Sequence, residues 1–198
     1  YISDSGAVIT NTTFADMKSK YATAVYGYNS TLLISNCTFR NLNANETAGA
    51  IGIKDFNDAA IIENCNFINV TSINNAGALF ADVNGMVGLK DGKVLVQNST
   101  FEDCGSFFGG AILQLGGSLM IVNSTLTDNY AMLNGGGVYT SNADVNVINS
   151  TLTGNSANEE VEDYNQGGAI YFDNGELTIE NSIFKDNNAL EGSDIYLY

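Results

Sequence analysis

One asparagine-centred pattern repeats along the whole chain and restricts what it can fold into. In every copy a β-branched residue precedes the asparagine by two positions, and a large apolar residue follows it by three. The asparagines are Asn11, Asn36, Asn64, Asn98, Asn123, Asn149 and Asn181. A unit of about 26 residues is too small to bury its own apolar face, so neighbouring units must cover one another. The pattern therefore predicts a stack of short units, each in contact with its neighbours.

Two apolar columns accompany the asparagines. The first column is Ile9, Ile34, Ile62, Val96, Ile121, Val147 and Ile179. The second column is Phe14, Phe39, Phe67, Phe101, Leu126, Leu152 and Phe184. A second element, written Gly-Ala-Ile-Tyr at residues 168–171, completes each unit, and both elements alternate with period two. The sequence predicts two short strands per unit and no helix.

If each unit coils once, equivalent residues lie above one another and every strand has parallel partners. The predicted fold class is all-β, a single-stranded parallel β-helix (solenoid) of about seven rungs. Residues 1–198 are expected to form one domain, as a module of a longer surface protein. The apolar columns should point inward, and the asparagine amides should bond the backbone or the next asparagine, as in stacked β-structures. The expected structural ladder consists of the seven asparagines with Phe14, Phe39, Phe67, Phe101 and Phe184.

Two units are longer than the others. Successive residues of the second apolar column are separated by 25, 28, 34, 25, 26 and 32 residues. The extra length falls at residues 81–93 and 156–166. Insertions in a solenoid leave the coil as loops, and loops on a rigid scaffold often carry binding residues. Both segments are therefore candidate recognition loops.

Net charge argues against several partners. The chain has 22 acidic and seven basic residues and a formal net charge of −15, whereas binding to nucleic acid requires a cluster of Lys and Arg. Anionic membranes are disfavoured for the same reason, and no apolar run of about 18 residues could insert this segment into a membrane. Solubility explains the acidity most simply, and no metal site is predicted. The alternative is a cation-bridged surface that uses loop carboxylates, and its best candidates are Glu159, Glu160, Glu162 and Asp163.

Three cysteines are an odd number, so at least one has no partner within the chain. Cys37 and Cys65 occupy the same position in successive units. Stacked strands lie about 4.8 Å apart, a little wider than the Cβ separation that a disulfide prefers. We expect small stacked thiols rather than a bridge. Cys104 replaces the asparagine found at Asn129, Asn155 and Asn187, and packing is its expected role too.

Catalysis is a weaker hypothesis. Parallel β-helices include pectin-type lyases and polysaccharide hydrolases, whose sites combine carboxylates with Arg, Lys or His. The chain has no His and a single Arg, Arg40. The best paired acids are Asp55 with Asp58 and Glu102 with Asp103, which lie beside expected bends where solvated carboxylates are ordinary. We predict no enzyme and no cofactor, because no nucleophile elbow, phosphate loop or zinc-binding spacing is present.

Eight Asn-x-Ser/Thr sequons are possible glycosylation sites. Five belong to the asparagine column, where the amide is expected to face the ladder, and these are Asn11, Asn36, Asn98, Asn123 and Asn149. The better acceptors are Asn29, Asn45 and Asn69. A composition rich in Asn, Ser and Thr is the plainer explanation of the whole set.

Tyrosines mark a candidate binding surface. Tyr26, Tyr139, Tyr171 and Tyr196 share one column of the second strand. A tyrosine stripe on a flat parallel sheet can stack sugars or contact another protein. Tyrosine is also simply a favourable outward residue of a strand, which is the plainer explanation.

A Gly-Gly-Ala-Ile element followed by a Phe/Leu-x-x-Asn element occurs at residues 109–112 with 126–129, and at residues 167–170 with 184–187. This pairing resembles the repeats of chlamydial polymorphic outer-membrane proteins. The Asn-Ser-Thr-rich segments, such as residues 98–101, look even more like the adhesin-like proteins of methanogenic archaea. The resemblance covers essentially the whole chain. It implies a right-handed β-helix displayed outside the cell, at the cell surface, with a role in attachment.

The predicted function is a non-catalytic extracellular adhesin-like or surface-display module that mediates cell or surface attachment. Its partner would be a glycan or a protein on a host cell or a neighbouring cell. The alternative is a structural subunit of a cell-surface filament or sheath, because an uncovered end rung is a template for end-to-end self-association. A polysaccharide lyase or hydrolase is the least favoured class.

Overall fold

The computed structural model describes residues 1–56, 58–83, 92–158 and 165–198 of the chain. These residues form strands β1 to β25 in three sheets, here named A, B and C, and the paired strands run parallel. The chain passes from sheet A to sheet B to sheet C once per unit and then returns to sheet A. The predicted all-β parallel solenoid of about seven turns is confirmed.

Sheet A contains β1 (Ile2–Ser3), β4 (Val25–Tyr28), β7 (Ile51–Lys54), β10 (Leu79–Asp82), β14 (Ile112–Leu115), β18 (Val138–Ser141), β22 (Ile170–Asp173) and β25 (Ile195–Leu197). Sheet B contains β2 (Gly6–Thr10), β5 (Thr31–Ser35), β8 (Ala59–Glu63), β11 (Lys93–Gln97), β15 (Ser118–Val122), β19 (Asp144–Ile148) and β23 (Leu177–Glu180). Sheet C contains β3 (Thr13–Ser19), β6 (Thr38–Ala44), β9 (Asn66–Ser72), β12 (Thr100–Glu102), β13 (Gly105–Phe108), β16 (Thr125–Thr127), β17 (Tyr130–Asn134), β20 (Thr151–Thr153), β21 (Ser156–Ala157) and β24 (Ile183–Lys185).

Sheet C is the part of each unit that the sequence pattern did not separate. We expected two strands per unit, but the chain turns at each column asparagine and enters a third strand that carries the Phe/Leu column. In some units the segment after the turn is only three residues long, as in Thr125–Thr127. A run of three residues contains too few alternations to be distinguished from the end of the preceding strand.

The aromatic column points inward, as predicted. Phe14, Phe39, Phe67 and Phe101 form a continuous stack with ring centroids 5.0, 4.6 and 4.5 Å apart and nearly parallel planes. The column continues as Leu126, Leu152 and Phe184. The aliphatic column of sheet B packs in the same core. Burying one phenylalanine contributes about 2–3 kcal/mol, so the core gains a similar contribution from each rung.

The column asparagines have a backbone role in place of the expected amide ladder. All seven have φ between 48° and 54°, in the left-handed region that asparagine tolerates better than other non-glycine residues. Their side chains are exposed at the turn between sheets B and C. Their backbone N–H groups join the rungs, as where Asn36 donates to the Glu63 carbonyl oxygen at 3.1 Å. The asparagine recurs because of its backbone conformation, and its amide faces solvent.

A buried amide ladder occupies a different corner, within sheet C. The side-chain amide of Asn129 donates to Asn155 Oδ1 at 2.9 Å, and that of Asn155 donates to Asn187 Oδ1 at 3.0 Å. The backbone N–H groups of Asn129 and Asn155 donate to the same oxygens. Cys104 takes this position one rung earlier, and its N–H donates to Asn129 Oδ1 at 3.0 Å. This ladder satisfies backbone donors that the bend would otherwise leave unpaired.

All three cysteines are free and buried, which confirms the predicted packing role. Cys37 and Cys65 lie one rung apart, and each thiol donates to a carbonyl oxygen two residues earlier at 3.2 Å. Burial raises the pKa of Cys65 to about 11 and that of Cys104 to about 12. A buried, protonated thiol is a poor nucleophile, so these two are inert while the fold is intact.

Glycine lets the rungs approach closely where the chain enters sheet A. A Cβ atom on Gly77 would lie 1.8 Å from the carbonyl oxygen of Gly110, and one on Gly110 would lie 2.0 Å from that of Gly136. The contacted atoms belong to the backbone of the next rung, so a change of side-chain rotamer cannot relieve the contact. The stacking distance therefore explains the glycine of the Gly-Ala-Ile element.

The residues that flank the two insertions lie next to described strands. Val83 directly follows β10 and Gly92 directly precedes β11, and an added Cβ on Gly92 would lie 2.9 Å from Val83 Cγ2. Asn158 directly follows β21, and Asn165 lies shortly before β22. The two residues that flank the first insertion are therefore close together.

The predicted loop limits were too wide. Residues 81–82 belong to β10, residue 93 begins β11, and residues 156–157 form β21. Residues 84–91 and 159–164 lie outside the described residues, and with them lie the proposed cation-binding acids Glu159, Glu160, Glu162 and Asp163. The spacing of the repeat identified which two units are longer than the others. It did not show where the paired strands on either side of each insertion end.

Candidate binding surface on the outer face of sheet A

An aromatic and apolar column runs along the outer face of sheet A. The strand registers place in one column Tyr26, Gly52, Phe80, Leu113, Tyr139, Tyr171 and Tyr196. Side chains alternate between the two faces of a strand, so neighbouring residues such as Ile51 and Ile170 point into the core. The four predicted tyrosines do share a column, with three residues of other types between them.

These tyrosines form two groups and not one continuous stripe. Tyr139 and Tyr171 stack with a centroid distance of 4.8 Å and planes 6° apart, and Tyr171 stacks on Tyr196 at 5.6 Å. Tyr26 stacks on Tyr1 at the other end, also at 5.6 Å. Tyr171 is only 7% exposed. Because stacked rings cover each other's faces, a ligand would meet ring edges and hydroxyl groups.

A small apolar cluster outside the main core fills the space between the two groups. Phe80 and Leu113 are each 3% exposed although they point away from the main core. Ala48, Ala76 and Phe108 pack against them from the corner between sheets C and A. Phe80 and Leu113 occupy the same repeat position as the tyrosines, so the repeat pattern could have identified them, but only the tyrosines of that column were predicted. The residues of the corner thus cover the edge of sheet A.

A second outward column lies beside the aromatic one. It contains Tyr28, Lys54, Asp82, Leu115, Ser141 and Asp173. Lys54 Nζ lies 5.4 Å from the centre of the Phe80 ring, a cation–π contact. Ser141 Oγ donates to Asp173 Oδ2 at 2.8 Å. Polar groups beside an apolar surface are the combination that orients a bound ligand.

Burial and nearby carboxylates keep the phenol groups neutral. Desolvation raises the pKa of Tyr171 to about 12, and the charges of Tyr139 and Asp173 add to this effect. Desolvation also raises the pKa of Tyr139. For Tyr28 the main cause of its raised pKa is the negative charge of Asp55. The hydroxyl groups therefore remain both donors and acceptors of hydrogen bonds at neutral pH.

A groove of about 610 Å³ borders this surface at its first rung. Its walls include Tyr1, Lys20, Tyr21, Tyr26 and Tyr28. Lys20 Nζ lies 3.4 Å from Glu46 Oε1 and 5.1 Å from the centre of the Tyr21 ring. Hydrogen bonds to Tyr21 and Glu46 raise the pKa of Lys20. The sequence did not predict this groove. Its walls come partly from the corner before β4 and partly from β4 itself, and the repeat pattern does not show how a corner packs beside a strand.

The described residues that flank the two insertions lie near the ends of sheet A strands. Val83 directly follows β10, and Asn165 lies shortly before β22. Since the strands are parallel, Val83 and Asn165 lie near opposite ends of the strands of sheet A, three rungs apart. The inserted residues themselves lie outside the described residues, and their role as recognition loops stays a prediction.

The predicted glycosylation sites lie on exposed corners. Asn29, Asn45 and Asn69 are all exposed. The amide of Asn29 donates to Asp4 Oδ1 at 2.8 Å, and that of Asn69 donates to Asn41 Oδ1 at 3.0 Å. A sugar at either position would replace a hydrogen bond between rungs. The column asparagines, which we expected to be inaccessible, are exposed as well, and glycosylation stays a prediction.

The two predicted acid pairs lie at different corners of the coil. Asp55 and Asp58 lie near the turn that follows sheet A, whereas Glu102 and Asp103 lie at the bend within sheet C. Arg40 forms an exposed ion pair on the outer face of sheet C. Among the described residues, no group of three or more His, Cys, Asp or Glu side chains could hold a metal ion.

Comparison with known proteins identifies the kind of fold. The family described as the right-handed beta helix region matches residues 1–198. No curated protein and no solved structure matches the chain significantly. Within the described ranges, no helix is long and apolar enough to cross a membrane. The resemblance to the chlamydial and archaeal repeats stays a prediction.

Proposed function

This chain belongs to the right-handed β-helix family, and on that premise we propose that it is a non-catalytic, adhesin-like module of the cell surface. It binds a glycan or a protein on a host cell or a neighbouring cell. The outer face of sheet A is the binding surface. The observation that carries the proposal is the column of aromatic residues on that face.

The surface is rigid where it presents its aromatic groups. Tyr139, Tyr171 and Tyr196 are held in register by three adjacent strands. Aromatic side chains supply a large contact area at a low cost in conformational entropy. A surface that is already ordered before binding loses little entropy on complex formation, which favours recognition of an extended ligand.

Charge favours a ligand without negative groups. Asp82 and Asp173 lie in the column beside the aromatic one, and the whole chain has a net charge of −15. Sulfated or sialylated glycans and acidic proteins would be repelled by this field. Neutral glycans, and protein surfaces with few acidic groups, are compatible with it.

The few basic residues support a role without catalysis. The sites of polysaccharide lyases and hydrolases combine carboxylates with Arg, Lys or His. The single Arg of the chain, Arg40, forms an exposed ion pair on sheet C. The chain also lacks histidine, the most common general acid or base.

Unpaired cysteines are compatible with an extracellular location. Oxidation requires an accessible thiolate. All three thiols are buried, and burial raises the pKa of Cys65 and Cys104 to about 11 and about 12. An oxidising environment would therefore leave these two thiols unchanged.

Glycan-array and whole-cell binding assays with the purified chain test the proposal. Replacing Tyr139 and Tyr196 with Ala should weaken binding by at least roughly tenfold, since aromatic residues dominate most binding surfaces. Tyr130→Ala is the matched control, because Tyr130 is an exposed tyrosine on sheet C, and it should bind like the wild type. Equal loss in both variants would contradict the assignment to sheet A. Hydrolysis of any arrayed glycan would contradict the non-catalytic role.

A further inference from the structure

An aliphatic stripe crosses the outer face of sheet B. The strand registers place Val8, Leu33, Ile61, Leu95 and Met120 in one outward column over five consecutive rungs. Val8 is 70% and Met120 is 40% exposed, and the three residues between them are half-buried. Because strand side chains alternate, none of these five can reach the core. A continuous apolar stripe on a flat sheet marks an interaction surface.

The five strands that carry this stripe are almost free of charge. Strands β2, β5, β8, β11 and β15 contain only two charged residues, and these have opposite signs: Lys93 and Glu63. This neutrality contrasts with the net charge of −15 on the chain. The stripe ends where the next two rungs place Asn146 and Thr178 in its column. Apolar and neutral residues therefore coincide on one bounded patch.

We infer that this patch is the interface of a weak homodimer, in which sheet B of one copy packs face to face on sheet B of a second copy. The two-fold axis runs along the solenoid, so the two copies point in the same direction. Each stripe residue then faces its own counterpart, for example Leu95 against Leu95. Facing sheets lie about 10 Å apart, which is the distance that aliphatic side chains from both faces fill.

Charge complementarity selects this arrangement. The two-fold axis brings the first residue of each sheet B strand opposite the last residue of the same strand in the second copy. Lys93 thus faces Gln97 of the second copy. Glu63 of the second copy lies one rung away from that Gln97, and therefore close to Lys93. Within one copy, Gln97 Nε2 already donates to Glu63 Oε2 at 2.8 Å. The only two charges on the patch meet as opposite charges across the interface.

The size of the patch makes the dimer weak. Five rungs spaced by about 4.8 Å and five residues rising by about 3.3 Å give a flat area of roughly 400 Å² per copy. The total of roughly 800 Å² is below that of stable complexes, so dimers should form only at high protein concentration. Sheet A remains free in both copies. If the proposed function holds, the dimer therefore offers two binding surfaces and gains avidity on a multivalent target.

Sedimentation velocity from about 5 to 500 µM protein tests the inference. The wild type should show a monomer–dimer equilibrium that tightens when salt is added, because salt screens the repulsion between two acidic copies. Leu95→Glu places like charges opposite each other and should raise the dissociation constant by roughly tenfold or more. The control Thr153→Glu lies on the outer face of sheet C beside Lys185 and should leave the equilibrium unchanged.

Cysteine cross-linking tests the geometry independently of those charge changes. Leu33→Cys and Leu95→Cys should each form a disulfide-linked dimer with itself under mild oxidation, whereas Thr153→Cys should not. The native cysteines are buried and free, so they do not compete. A wild type that is monomeric at every concentration in high salt would overturn the inference. Cross-linking of Leu33→Cys only to Leu95→Cys would overturn the parallel arrangement.

Discussion

Asn129 donates its side-chain amide to the side-chain oxygen of Asn155 at 2.9 Å, in a fully buried corner of sheet C. The same oxygen accepts the backbone N–H of Asn129, so one side chain satisfies two donors of the rung before it. Asn155 in turn donates to the Leu126 carbonyl oxygen and to Asn187. The ladder therefore couples successive rungs through groups that water cannot reach, and its loss leaves several polar groups unpaired.

Replacing Asn155 with Ala should lower the free energy of unfolding by about 3 kcal/mol, because each buried polar group left unpaired costs about 1–3 kcal/mol. Urea denaturation followed by circular dichroism measures the change. Asn45→Ala is the control, since Asn45 is exposed, and it should change the unfolding free energy by less than about 0.5 kcal/mol. Equal effects of the two substitutions would remove the special role of the ladder.

Replacing Asn123 with Ala should lower the unfolding free energy by about 1–2 kcal/mol, because Asn123 has a φ of 49° and Ala is strained in that region. Asn123→Gly should cost less than about 1 kcal/mol, since glycine adopts this conformation freely. The same urea assay compares the two variants. A glycine variant less stable than the alanine variant would show that the amide itself matters there.

The aromatic stack should tolerate a smaller apolar side chain better than removal of the whole side chain. Phe67 lies between Phe39 and Phe101 and is fully buried. Phe67→Ala should destabilise the fold by about 3–5 kcal/mol through the cavity it creates. Phe67→Leu should cost less, about 1–2 kcal/mol, because it leaves a smaller cavity and because Leu126 and Leu152 already occupy this column. Thermal and urea unfolding would contradict this if the two variants were equally unstable.

The free energy of unfolding should fall as the pH rises above 9. In that range the unfolded chain loses the protons of the Cys65 and Cys104 thiols, whereas the native fold retains them. Burial raises the pKa of Cys65 from 9.0 to about 11 and that of Cys104 from 9.0 to about 12. Below pH 9.0 both states keep these protons, so the two thiols add no pH dependence there. Between pH 9 and pH 11 each thiol should lower the unfolding free energy by about 1.4 kcal/mol per pH unit.

Urea midpoints measured at successive pH values check this prediction. The double variant Cys65→Ala, Cys104→Ala is the comparison, because it lacks both thiols but keeps the alkaline titration of Tyr171, whose pKa is raised to about 12. Its stability should fall less steeply with pH than that of the wild type. Parallel profiles for the two proteins would contradict the assignment to the thiols.

Much of the fold could be predicted from the sequence because a solenoid repeats its environment. Phe39, Phe67 and Phe101 recur in the sequence because each meets the same neighbours one rung away. The inward direction of this column and the parallel pairing follow from that repetition. The short third strand could not be separated, because a segment such as Thr125–Thr127 contains too few alternations to define a period.

The candidate site was predicted less completely. Sequence alignment placed Tyr139, Tyr171 and Tyr196 in one column, but the depth of burial of a side chain depends on what packs over it from another unit. Tyr171 is therefore almost covered, and Phe80 joins a separate apolar cluster.

The repeat is enough to establish that the chain is a stack of similar rungs with apolar columns inside, because only a fold with the same period can use such a repeat. The role of each asparagine, in contrast, is visible only in the folded chain. Asn123 and Asn155 both recur at the repeat distance, yet one sits exposed in a left-handed turn and the other bonds its neighbours in the interior. A residue type that recurs at the repeat distance shows that its copies occupy equivalent environments, but not what those environments are. The direction of each side chain depends on the backbone conformation at its own corner of the coil.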